Sequence, residues 1–160
     1  LFDVIISFKY RKICYDTHNK GGSKMEYQLY QDLPQEAKRI RELVFMQEQG
    51  FQNEFDDLDH HCFHLVLFID YQPVATCRFY KENEAYIIGR VAVIKELRKQ
   101  HLGGKVLQYA QDEIKRLGGH VIKLHAQVQA MPFYQKYGYI GYGKIEDDEG
   151  CPHMWMKKEV

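Results

Sequence analysis

A chain of 160 residues, 45% hydrophobic and 28% charged, is long and apolar enough for one folded domain with a real core. Its 12 tyrosines and 9 phenylalanines exclude a disordered segment, and no apolar run is long enough to span a bilayer as a helix. Lys and Arg (22) balance Asp and Glu (22), so the basic excess a general nucleic-acid binder needs is missing; neither nucleic acid nor membrane is an expected partner.

Residues 1–24 precede Met25, which opens MEYQLYQDL, a normal first strand. Lys20-Gly21-Gly22-Ser23-Lys24 is encodable by a purine-rich ribosome-binding site just upstream of a start codon. We therefore expect residues 1–24 to be a non-native or upstream-translated leader and residues 25–160 to be a single domain with a bacterial start at Met25. The alternative is a genuine extra strand at residues 3–10, where Val4, Ile6 and Phe8 alternate. The leader has neither the positive character nor the small-residue cleavage site of a secretion signal. Cys14, Cys62, Cys77 and Cys151 are scattered without a CxxC pair, which fits free thiols in a reducing cytoplasm.

From Met25, Tyr27 and Leu29 alternate as a strand. Pro34 suits a helix's first turn, and Ala37, Ile40, Leu43 and Val44 follow helical spacing to about residue 47. Residues 51–59 are acidic and irregular. Strands follow at 63–69, 74–80 and 85–94, with turns at 70–73 and 81–84, as a meander. After a loop at 98–104, Val106, Leu107, Ala110, Ile114 and Leu117 share one face of a helix over 103–117, closed by Gly118-Gly119. A strand at 120–128, a short helix at 131–137 and strands at 139–145 and 154–158 complete the chain. The order predicts an α/β fold: a mixed central sheet with helices packed on its faces.

The chemistry concentrates in Arg98-Lys99-Gln100-His101-Leu102-Gly103-Gly104-Lys105, where a strand, Val91-Ala92-Val93, leads through a glycine-containing loop onto a helix. Unpaired amides and the macrodipole make such a helix start a ready pyrophosphate site. It is not a GxxxxGK[ST] phosphate loop, because Lys99 and Val106 occupy its required positions, and no GxGxxG fingerprint is present. Alone, the loop reads equally as a tight turn. The second motif is Ala130-Met131-Pro132-Phe133-Tyr134-Gln135-Lys136-Tyr137-Gly138-Tyr139.

Together, in this order, the two motifs resemble the (Q/R)xxGx(G/A) loop and the FYxKxGF/Y signature of the GNAT acetyltransferase superfamily, over essentially residues 25–160. Val44-Phe45-Met46-Gln47-Glu48-Gln49, Asp56-Asp57-Leu58-Asp59 and Pro152-His153-Met154-Trp155-Met156 are similar to its small bacterial YjcF/ElaA-like branch. The resemblance implies a mostly antiparallel sheet with helices on both faces. It also implies transfer of acetyl from acetyl-CoA, as co-substrate, directly to an amine on a small molecule or a protein. Val91 and Val93 are then expected to pair with the pantetheine arm, and Arg98, Lys99, His101, Leu102, Gly103 and Gly104 to hold the pyrophosphate. Tyr134 matches the tyrosine that protonates the departing thiolate. The family's first loop glycine is His101 here, which keeps the backbone amides but restricts close approach.

The base that deprotonates the amine is open by residue type among Glu48, Asp56, Glu149, His125 and His153; Glu48, Glu149 and His153 are the candidate acceptor-site groups. Asp59, His60, Cys62 and His64 have the residue types for a metal, but the second half of a paired-ligand spacing is missing and no metal is expected. Glu54, Asp56, Asp57 and Asp59 read either as a solvated acidic loop or as a lure for a cationic acceptor. The competing function is a non-catalytic acyl-CoA sensor or interaction module on the same fold, and a homodimer fits such a sheet.

Overall fold

Runs rich in Val, Ile, Tyr and Phe form strands here, and the longest amphipathic run forms the main helix. The computed structural model describes the backbone of residues 12–16 and the whole of residues 23–160. In chain order these are β1 (Lys12–Asp16), β2 (Met25–Tyr30), α1 (Gln35–Arg41), β3 (Phe63–Ile69), β4 (Gln72–Glu82), β5 (Ala85–Val93), α2 (Leu102–Arg116), β6 (Val121–Gln127), α3 (Met131–Lys136), β7 (Ile140–Asp148) and β8 (Cys151–Glu159). The strands form one sheet in the order β1-β2-β3-β4-β5-β6-β8-β7. Every neighbouring pair is antiparallel except β5 and β6. The alternative strand at 3–10 lies outside the described residues; β1 pairs with β2 from Lys12↔Leu29 to Asp16↔Met25.

Period-two alternation assigns the faces. Leu65, Leu67, Ala75, Cys77 and Phe79 meet Val106, Leu107, Ala110 and Ile114 of α2 in the larger core cluster. The intervening Val66 and Phe68 join Ala37, Ile40, Val44 and Ala92 in a second cluster, which α1 covers. Each fully buried aliphatic side chain contributes about 2 kcal/mol. Helices therefore cover both faces, as expected. Gly118, in the left-handed region at φ 81°, and Gly119 close α2 through bonds to the Lys115 and Ile114 carbonyls.

The helix expected over 34–47 is α-helical only to Arg41; residues Glu42–Glu48 are wound as a π-helix. The wider turn sets Phe45 and Gln49 along one cavity wall, a placement that the periodicity of an α-helix does not forecast. The hairpin of β7 and β8 is longer than expected: β7 continues through Glu146, Asp147 and Asp148, which are exposed at the sheet's edge and lack the alternation of a half-buried strand.

Within the acidic stretch 51–59, Glu54 and Asp59 are buried rather than solvated, while Asp57 stays exposed. Arg41, 1% exposed, donates from Nε to Glu54 at 2.6 Å and from Nη1 to Asp59 at 2.6 Å. Arg78 reaches Asp56 at 2.6 Å and Asp59 at 2.8 Å. The short turn Asp57–His60 carries a capping box between Asp56 and Asp59 that holds these carboxylates in place. Burial pushes the Asp59 carboxyl up, but the hydrogen bonds of Arg41 and Arg78 outweigh it and hold the group at about 2. Its folded value lies below the unfolded one, so its stabilisation is present above about pH 4 and is lost as pH falls toward 2. Asp59→Asn is expected to cost roughly 3–5 kcal/mol in urea unfolding at neutral pH. It is also expected to flatten that part of the acid limb when unfolding is followed from pH 5 to pH 2.

Candidate active site

The site begins with a bend in β5. Arg78 pairs with Gly89 and Thr76 with Ala92, so Cys77 on β4 faces two residues, Arg90 and Val91, on β5. Arg90 takes up this bulge in the left-handed region, at φ 54°, which costs a non-glycine residue about 1 kcal/mol. Its guanidinium is anchored on Glu54, with Nε 3.1 Å from Oε1 and 3.0 Å from Oε2. Burial holds the Glu54 carboxyl above its ordinary value, and Arg90 and Arg41 offset only part of that rise. Beyond the bulge β5 turns away from β6; the two strands pair only at Tyr86↔Ile122 and Ile87↔Lys123. The sheet opens there into a wedge.

A cavity of about 430 Å³ occupies the wedge. Arg90 and Val91 border it from β5, His125, Ala126 and Gln127 from β6, Phe45 and Gln49 from the π-helical turn, and Tyr134 from α3. Asp148, Glu149 and His153 border it from the β7–β8 hairpin. A second cavity of about 600 Å³ shares Gln49, Phe51, Gln127, Ala130 and Glu149 with the first and adds Glu48, Arg98, Gln129 and Cys151. A hydrogen bond of 2.8 Å from Gln127 to Gln49 spans the shared wall.

Tyr134 sits on α3, where Pro132 occupies the first turn. Its ring meets Phe133 and Tyr139 edge-on at 5.0 and 6.0 Å. Burial pushes its phenol up, so the hydroxyl is a protonated donor at neutral pH.

At the start of α2, Lys99 and His101 both have left-handed backbones, with φ of 67° and 60°. The first bond of the helix runs from the Lys105 amide to the His101 carbonyl, and His101 supplies no side-chain cap. The amides of Leu102, Gly103 and Gly104 are thus the unpaired donors of a helix N-terminus. A Cβ on Gly104 would lie 1.8 Å from the Tyr137 hydroxyl oxygen, and one on Gly103 would lie 3.4 Å from the Phe133 ring. The two motifs therefore pack on one another.

The structure brings Val91, Tyr134, Glu149 and His153 around one cavity. Glu48 and Arg98, expected at different subsites, hold each other: the carboxylate accepts at 2.6 and 2.7 Å. Arg98 Nε also donates to the Val93 carbonyl at 3.2 Å. The Arg98 hydrogen bond holds the Glu48 carboxyl below its ordinary value. Glu149 accepts from the Gln52 amide at 2.9 Å, the Asn53 amide at 3.2 Å and Asn53 Nδ2 at 2.6 Å, and these bonds lower its pKa. Lys99, His101, Leu102, Gly103 and Gly104 lie together at the α2 start. Of the metal-type residues, His64 is buried with Nε2 2.8 Å from the Asp59 carbonyl, and burial pushes the Cys62 thiol up to about 11. Sequence reasoning missed Phe45 and Arg90 as parts of the site; Gly89 before Arg90 was a signal of the bulge.

Comparison with known proteins agrees with this geometry. The family profile described as an acetyltransferase (GNAT) domain matches residues 30–160. The uncharacterized protein YyaT of Bacillus subtilis is 35% identical over 78% of this chain and 88% of its own length. The uncharacterized N-acetyltransferase YjcF of the same organism is 32% identical over 78% and 91%. The crystal structure of Escherichia coli ElaA superposes with a TM-score of 0.75 at 24% identity, covering 84% of this chain and 99% of that one.

The loop geometry predicts opposite outcomes for two neighbouring substitutions. His101→Gly relieves the left-handed strain and is expected to raise stability by about 1 kcal/mol in urea unfolding. Gly104→Ala drives a methyl into the Tyr137 ring and is expected to lower it by at least about 2 kcal/mol.

Proposed function

The chain belongs to the GNAT acetyltransferase superfamily, in the branch of YjcF and ElaA, and from that premise we propose that it moves acetyl from acetyl-CoA directly to a primary amine. The observation that carries this reading is Tyr134, a protonated phenol bordering the same cavity as the unpaired stretch of β5.

In this reading the pantetheine arm lies along β5 near Val91 and Val93 as an added strand. The amides of Leu102, Gly103 and Gly104 take the diphosphate, with Lys99 and His101 beside it. Arg98 acts as a strut: its guanidinium joins Glu48 to the end of β5, and it supports the loop rather than reaching for phosphate on its own. The acceptor enters beside Glu149 and His153, with Glu48 in the adjoining cavity. The amine nitrogen attacks the thioester carbonyl, the C–N bond forms, the C–S bond breaks, and the sulfur takes the Tyr134 proton. The acceptor is a small-molecule or protein amine.

Calorimetry with acetyl-CoA and thiol release with lysine ethyl ester, spermidine, kanamycin and benzylamine test this reading. Binding with turnover of at least one amine is expected. Binding without any turnover supports an acyl-CoA sensor instead, and absence of binding removes both. Tyr134→Phe is expected to lower kcat about 100-fold while acetyl-CoA affinity stays within about two-fold.

A further inference from the structure

Two histidines border the cavity on the sheet face opposite α2. On β6, Ile122, Leu124 and Ala126 point into the α2-side core, which sends His125 to the other face. His153 on β8 shares that face, since it pairs with Gln127, which lies on the His125 side of β6. The imidazole centroids lie 5.0 Å apart, and His125 stacks on Trp155 at 4.8 Å and 19°. Tyr134 packs instead against the α2-side cluster. The cavity thus has a proton donor on one face of the sheet and imidazoles on the other.

The proton on His153 has a fixed place. The ring is 7% exposed, and Nδ1 lies 2.8 Å from the Cys151 carbonyl oxygen. A carbonyl only accepts, so Nδ1 carries the hydrogen and the neutral ring keeps its lone pair on Nε2. Among the described residues the ring makes its one hydrogen bond through Nδ1, which leaves Nε2 without a partner.

We propose that His153 is the catalytic base of the acetyl transfer, taking the acceptor's ammonium proton on Nε2. This rests on the acetyltransferase reading and assigns the group that reading leaves open.

The other ionisable groups facing this part of the cavity are engaged or badly suited. Glu54 is held by Arg41 and Arg90, and Glu149 accepts three bonds from residues 52 and 53. Tyr134 is protonated, and Asp148 sits on the exposed rim of β7. His125 is kept neutral by burial and by His153, and its Nε2, 3.2 Å from Glu146 but without a hydrogen-bond partner, is buried rather than open to the cavity.

The protons balance. One leaves the ammonium for His153 and is released from there to solvent. The second, lost from nitrogen once the C–N bond has formed, replaces the one Tyr134 gives to sulfur. The products are the amide, free CoA thiol and one released proton.

The test is His153→Asn, whose amide keeps a donor for the Cys151 carbonyl while removing the base. With the fastest amine of the panel, kcat is expected to fall about 100-fold with acetyl-CoA affinity within about two-fold. The acid limb of kcat/KM is expected to give way to a rate that keeps rising with pH, a change a purely structural role would not produce. His153→Ala, with added imidazole restoring part of the rate, is the second variant. A wild-type pH profile or a rate within about three-fold in His153→Asn overturns the assignment alone. Wild-type protein that binds acetyl-CoA and acetylates none of the amines overturns the acetyltransferase reading itself, and the assignment with it.

Discussion

Arg41 and Arg78, 1% and 4% exposed, have given up water for Glu54, Asp56 and Asp59, and no apolar contact compensates a guanidinium left alone in such a place. That requirement draws the 50–60 segment down onto α1 and β4. The same Glu54 then receives Arg90, the residue in the left-handed region of the β5 bulge. A strained backbone persists where its surroundings over-determine it, and here two carboxylates do so. With the bulge in place β5 leaves β6, and the wedge follows. The ion network shapes the cavity without supplying its chemistry.

The wedge also divides labour between the faces of the sheet. On the α2 side are the helix N-terminus and the phenol; on the other are the two imidazoles, the β7–β8 hairpin and the π-helical turn. In the proposed reaction, an acyl group in the gap is reached from both sides at once. The Arg98–Glu48 pair and the Gln127–Gln49 bond tie the walls of this gap together from separate elements, so its width is set by side chains as well as by strand geometry.

Much of this was legible in the chain. The alternation of β2 through β6, the apolar stripe of α2 with its glycine stop, and the two motifs are local patterns, and each forms the element expected of it. What stayed hidden depends on distant partners. Glu48 and Arg98 are 50 residues apart, and neither residue type announces the other. The carboxylates of 54–59 look like a solvated loop until Arg41, Arg78 and Arg90 arrive from three other elements. The full length of β7 is invisible because an exposed edge strand lacks the alternation that betrays a half-buried one. Periodicity likewise cannot distinguish a helix that loosens to π winding after Arg41 from one that does not.

Gly104 and Tyr137 come from motifs that sequence reading joins only by resemblance, yet a methyl on one would overlap the phenol of the other at 1.8 Å, and its ring carbon Cζ at 2.6 Å. Removing the hydroxyl alone would not make room, because the ring itself would have to move aside. The aromatic at one position thus keeps a side chain off the other, and a single packing contact holds the two motifs in register.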